Sequence, residues 1–306
     1  MNVEILSIEG DTIRFVLEGV DIAFANALRR TMIADVPCMV IDDLFIFDNS
    51  SPVPDEILSH RICLVPLKTD LDSYVLPEQC KCGSDLGCSQ CRVVLTLDVK
   101  AETGNRTVTS GDLVSENPNV VPSSPSIPLA KIAPGQAIRL EAYARLGTGK
   151  VHAKWQPVSS AIYQHVAEID VNGRACTACG KCVEACPRGV FSLEGGKLKV
   201  VDIYSCTICG ECAKACTEKN ALNQAVKSDA FLFTVESTGC LPPERIVTEA
   251  ARIIVAKLDE FSSKIERGET NDEITEFEVA EQAARGLYSV GSGEFEEEEE
   301  DEEPEA

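Results

Sequence analysis

The chain has 306 residues, 44% hydrophobic and 25% charged, the proportions of a globular protein with room for about two or three domains. No apolar run approaches the ~18 residues a membrane span needs, and the start, MNVEILSIEG, carries Glu4 and Glu9 without a basic stretch, so the sequence reads as cytoplasmic with no signal peptide. A net charge of −22 argues against a chain that grips nucleic acid by itself, and fifteen cysteines in such a protein point to metal or clusters and away from disulfides.

Residues 2–18 alternate as two short strands through Val3, Ile5, Ile13, Phe15 and Leu17, with Glu9-Gly10-Asp11 as the turn. Asp21 is an N-cap for the helical stretch IAFANALRRTMIADV. There Phe24, Ala27, Leu28, Thr31 and Met32 share one face, Arg29 and Arg30 flank it as solvated surface, and Pro37 ends the run. From Met39 the period becomes two: Val40 to Phe47 is a strand, and Asn49-Ser50-Ser51-Pro52 a turn. Asp42, Asp43 and Asp48 suit a hard cation, although acids at strand ends and turns are the commoner case. A short helix near Asp55 to His60 and an apolar run from Ile62 to Leu67 follow.

Phe24-Ala25-Asn26-Ala27-Leu28-Arg29-Arg30-Thr31-Met32, Asp35-Val36-Pro37, Ile41-Asp42-Asp43, Asn49-Ser50-Ser51-Pro52 and Asp55-Glu56-x3-His60-Arg61-x4-Pro66-Leu67 together resemble the D-type subunits of archaeal DNA-directed RNA polymerase. That family is itself similar to the N-terminal domain of the bacterial polymerase alpha subunit.

Next come four thiols in a Gly/Ser-rich loop, Cys80-x-Cys82-x5-Cys88-x2-Cys91. The set suits a tetrahedral zinc ion, with free or redox-active thiols as the alternative because the first gap is only one residue. The resemblance favours zinc, since the polymerase family often carries a zinc loop here. Val93, Leu95, Leu97 and Val99 mark a half-buried strand, residues 103–128 read as loop, and Leu129 to Ala144 return to strand. The segment Gly147-x-Gly149-x2-His152-Ala153-Lys154-Trp155-x-Pro157 lacks the third glycine and following lysine of a phosphate loop. The resemblance makes it a structural or subunit-contact feature.

Residues 176–216 hold the bacterial ferredoxin spacing twice: Cys176-x2-Cys179-x2-Cys182-x3-Cys186-Pro187 and Cys206-x2-Cys209-x2-Cys212-x3-Cys216-Thr217. In such runs the three close cysteines bind one cubane and the fourth reaches across to the other. Cys176, Cys179, Cys182 and Cys216 are therefore expected to hold one 4Fe–4S cluster, and Cys206, Cys209, Cys212 and Cys186 a second. Two structural zincs are the alternative, disfavoured because zinc sites usually pair separated CxxC knuckles. The run resembles two-cluster ferredoxins. Between its halves, Gly189-Val190-Phe191 and Leu198-x-Val200 form a hairpin around Gly195-Gly196. Phe231 to Val235 is a strand, and Pro242-Pro243 open a long helix with Ile246, Val247, Ala250, Ile253, Ile254, Leu258, Phe261 and Ile265 at helical spacing.

The expected fold is α+β. Residues 1–40 and 226–268 form a split α/β dimerisation domain, 41–165 an inserted mainly-β domain, 166–225 an inserted ferredoxin-like domain, and 269–306 an acidic, disordered tail. The resemblance implies a non-catalytic assembly subunit of RNA polymerase that pairs with subunit L and then meets small subunits N and P and the large catalytic subunits. Phe24, Leu28, Met32, Ile254 and Phe261 are the candidate partner face. No closely spaced aspartate set for two-metal chemistry occurs, so no catalytic residue is expected on this chain. The competing reading, a ferredoxin-type electron-transfer subunit, lacks any flavin or nicotinamide fingerprint.

Overall fold

The computed structural model describes residues 1–84, 87–218 and 220–268, so the expected acidic tail, 269–306, lies outside the described residues. The chain divides into two units, residues 1–255 and 256–306.

The first unit opens with an antiparallel hairpin of β1 (Asn2–Glu9) and β2 (Thr12–Glu18). Helix α1 (Ile22–Ala34) starts where the Asp21 carboxylate accepts the Phe24 N–H at 2.8 Å, and it stops where the Asp35 N–H turns back to Thr31 before Pro37. Strand β3 (Cys38–Asn49) follows. Its first residues alternate between two cores: Cys38 and Val40 face one, Met39 and Ile41 the other. Helix α2 (Asp55–Cys63) carries Asp55 and Glu56 in its first turn and His60 and Arg61 in its last, matching its dipole.

Strand β4 (Arg92–Lys100) lies where expected. Residues 103–128 are less irregular than their composition suggests, since they hold β5 (Arg106–Thr109) and β6 (Val114–Ser115). The single strand expected over 129–144 is two strands, β7 (Pro128–Ile132) and β8 (Ala137–Gly147), parted by a turn at Pro134-Gly135. A four-stranded sheet, β3-β8-β4-β6, packs Leu95, Leu97, Leu140 and Ala142 against Leu58 and Ile62 of α2 and against Leu129 and Ile132 of β7, which pairs with β5.

Strand β9 (Val158–Val171) enters a small region built of α3 (Lys181–Ala185), the hairpin β10 (Phe191–Glu194) and β11 (Lys197–Val200), and α4 (Glu211–Ala215). The hairpin turns at Gly195-Gly196, as its sequence predicts. Strand β12 (Leu222–Ser237) leaves the region beside β9, and α5 (Pro243–Arg267) follows. The expected boundaries 165/166 and 225/226 therefore fall inside continuous strands.

The second sheet, β1-β2-β12-β9, is antiparallel throughout. On one face Ile13, Phe15, Leu17, Phe231, Phe233 and Val235 pack with Ala25, Leu28 and Met32 of α1 and with Ile246 and Ala250 of α5. Phe15 and Phe233 stack with ring centres 5.0 Å apart. The reverse face, with Val16, Val166, Ala230 and Leu232, is covered partly by Ile203 and Tyr204 from the region that β9 and β12 enclose. The Gln164 amide donates to the Tyr204 carbonyl, and the Tyr204 hydroxyl donates to Glu4, both at 3.3 Å. Segments distant in sequence thus share one core because alternate residues of β2 and β12 serve opposite faces.

In the second unit, residues 256–267 are helical, and Leu258, Phe261 and Ile265 are exposed. The Glu260–Lys264 pair, 2.7 Å apart, marks the polar side.

Candidate metal centres and partner face

Cys80, Cys82, Cys88 and Cys91 can hold one metal ion. Their sulfurs all lie within 4.8 Å of one another, the only group so gathered among the described residues. Cys80 and Cys88 are 3.7 Å apart, Cys82 and Cys91 3.9 Å, and Cys88 and Cys91 3.8 Å. A tetrahedron with its centre about 2.3 Å from each corner, the zinc–thiolate length, has edges of about 3.8 Å. The Gln90 backbone N–H, helped by the neighbouring thiols, lowers Cys88 to about 7. At Cys80 the Cys82 backbone N–H favours the thiolate, but the other three thiols and desolvation outweigh it and push the group up to about 12. Four thiolates this close need a cation to coexist.

The two ferredoxin-spaced runs are brought together by α3 and α4. One cavity is lined by Cys176, Cys179, Cys182 and Cys216, three thiols from the first run and the last of the second. At the other side burial pushes the Cys212 thiol up, and Cys206, Cys186 and Cys209 beside it push the same way. Ala178 and Ile208, at matching places in the two runs, both adopt the left-handed backbone, φ 54° and 57°. Non-glycine residues rarely do so without cause, and successive N–H groups aimed inward by such a turn form the concavities found around Fe–S clusters. Two sets of four soft thiolate donors are chemically suited to a thiolate-bound metal or cluster at each.

The expected partner face needs a correction. Leu28 and Met32 are 5% and 0% exposed, packed in this chain's own core because β2 and β12 lie under that side of α1. Of the expected set, Phe24 is exposed at 36%, Ile254 is half-buried and Phe261 is exposed at 62%.

The Gly147–Pro157 segment ties elements together. A β-carbon on Gly147 would lie 2.4 Å from the Trp155 ring, and one on Gly149 2.3 Å from the Ile33 carbonyl oxygen, so both glycines permit close approach. The Lys154 ammonium and the Arg145 guanidinium both pair with the Asp42 carboxylate, and Lys154 also lies 4.4 Å from the Trp155 ring centre. Asp42 is thereby held by cations of the chain itself. No local pattern in the sequence joins Asp42 to Lys154, more than a hundred residues apart. The alternation of β9 is weak in the sequence, and its register shifts where β12 bulges between Val226 and Phe231.

A family profile described as "RNA polymerase Rpb3/Rpb11 dimerisation domain" matches residues 14–258. DNA-directed RNA polymerase subunit Rpo3 of Archaeoglobus fulgidus is 43% identical over 264 residues, covering 86% of this chain and 97% of that protein. Subunit Rpo3 of Methanothermobacter thermautotrophicus is 41% identical, covering 83% and 95%. DNA-directed RNA polymerase II subunit rpb3 of Dictyostelium discoideum is 38% identical, covering 87% and 95%. With the match running through both cores and most of α5, the chain belongs to the RNA polymerase Rpb3/Rpb11 dimerisation-domain family.

Proposed function

We propose that this chain is a non-catalytic assembly subunit of DNA-directed RNA polymerase, acting in the cytoplasm. The split domain, residues 1–40 with 226–268, pairs with an L-type subunit; the heterodimer then meets small subunits N and P and the large catalytic subunits. The observation that carries this is the profile match over 14–258 together with near full-length likeness to Rpo3 subunits. We assign to partner contact Phe24 and Ile254 in the first unit, and in the second Leu258, Phe261 and Ile265, which recur at helical spacing.

The inserted 166–225 region acts as a ferredoxin-like domain. Cys176, Cys179, Cys182 and Cys216 bind one 4Fe–4S cluster; Cys206, Cys209, Cys212 and Cys186 bind the other. The clusters hold together a region whose own apolar core is small, and they make its integrity depend on iron and oxidation state. The Cys80 set binds zinc, supported by its tetrahedral sulfur spacing. An electron-transfer role is not favoured, because the relatives are polymerase subunits across nearly their whole length.

The test is co-expression with the L-type subunit and anaerobic purification. A soluble one-to-one dimer with about eight irons and matching acid-labile sulfide is expected. A monomer indifferent to that subunit sinks the assembly role; zinc in place of iron sinks the cluster assignment.

A further inference from the structure

The two cysteine runs are an internal repeat, and one side chain breaks it. Gly180 opens α3 and Gly210 opens α4, with φ of 83° and 77°. After each run's last cysteine, the stretch Val190-Phe191-Ser192-Leu193 corresponds to Ala221-Leu222-Asn223-Gln224, and Val190 and Ala221 are both buried. The correspondence is spatial as well: a β-carbon on Gly180 would lie 3.2 Å from Leu193 Cδ1, and one on Gly210 would lie 4.0 Å from Gln224 Oε1. Leu193 and Gln224 thus occupy equivalent places, one apolar and one an amide.

The Gln224 amide touches two of the expected ligands. Its Nε2 donates to Cys206 Sγ at 3.4 Å, and its Oε1 lies 3.9 Å from Cys212 Sγ. Once both cysteines are metal-bound thiolates, neither has a proton to give to Oε1, and the amide's two N–H groups are the useful end. Around the first set the cavity is lined by Ala178, Leu198, Ala221 and Leu222 together with Thr177 and Glu218, none of which carries a side-chain amide. Thr177 and Thr207 stand at the same place in the two runs, so a neighbouring hydroxyl is common to both.

We propose that Gln224 is a tuning residue that makes the two centres inequivalent. It donates N–H to the Cys206 thiolate and so raises the reduction potential of the centre that Cys206 holds with Cys209, Cys212 and Cys186. The cause is electrostatic: an added electron increases negative charge on the ligating sulfurs, and a charge-assisted donor stabilises that form more than the oxidised one. The inference rests on the cluster reading above.

The experiment uses the full chain, reconstituted anaerobically with iron and sulfide and titrated with dithionite as electron donor, the potential of each centre being read by electron paramagnetic resonance. Cys209→Ser alters the centre beside Gln224 and so assigns its signal. In Gln224→Leu, that centre is expected to become about tenfold harder to reduce, about 59 mV lower for one electron, with the other unmoved. Leu193→Gln is the reciprocal test and should raise the first centre alone. It also decides the matter if Gln224→Leu loads poorly, because an unmoved first centre then overturns the proposal. Full iron with potentials unchanged in both variants, or both centres shifting together, overturns this inference alone. Parent protein that takes up no iron overturns the cluster reading and this proposal with it.

Discussion

Replacing Leu258, Phe261 and Ile265 together by alanine should abolish tight pairing with the L-type subunit while leaving the helix intact. These side chains are 60%, 62% and 62% exposed in the chain alone. Full burial of such a side chain is worth about 1.5–3 kcal/mol, so covering the exposed part of each gains about 1–2 kcal/mol and the three together about 3–6 kcal/mol. At about 1.4 kcal/mol per tenfold, Kd should rise by roughly two to four orders of magnitude. Alanine is the best helix former, so lost binding cannot be laid to a melted helix. Glu266→Ala, exposed on the same stretch, serves as the control. Sedimentation equilibrium or calorimetry with the purified partner gives Kd, and circular dichroism gives helix content. A triple variant that keeps its helix and binds within threefold of the parent refutes the assigned face.

Phe233→Ala should destabilise the first unit by about 3–5 kcal/mol, read by urea unfolding, because Phe233 is fully buried and stacks on Phe15. Lys154→Ala should cost about 2–4 kcal/mol, below the limit for a wholly buried pair because Arg145 stays with Asp42; Lys154→Met, keeping the stem, should recover part of the loss, and equal stability of all three proteins contradicts the structural role. Metal affinity of the Cys80 set should tighten as pH rises, since binding expels thiol protons; Cys80, pushed up to about 12, keeps its proton throughout pH 6 to 8, so affinity should climb over that whole range, less steeply above about 7 where Cys88 has already lost its own. Zinc competition against a chromophoric chelator measures this, and an affinity flat over that range rejects thiolate ligation.

Local patterns carried much of the fold by themselves. The Asp21 cap, the apolar spacing of α1 and the stop at Pro37 are short-range signals, and α1 spans Ile22–Ala34 as they require. Gly195-Gly196 demanded a tight hairpin, and β10 and β11 form it. The ferredoxin spacing leads one to expect Cys216 beside the first run's thiols, and the fold lines one cavity with Cys176, Cys179, Cys182 and Cys216. Other features are decided only by partners remote in the chain. Whether Leu28 and Met32 face a partner or their own core depends on β2 and β12, which arrive from opposite ends of the sequence. The Asp42–Lys154–Arg145 group joins β3, a turn and β8, and no local periodicity predicts it. Gln224 reads as an ordinary polar residue of a strand until the fold sets its amide against Cys206. Short-range sequence determines caps, turns and ligand spacing because those are interactions between near neighbours; which side of a helix is covered, and which polar group meets which thiolate, follows from the sheet that brings distant segments into contact.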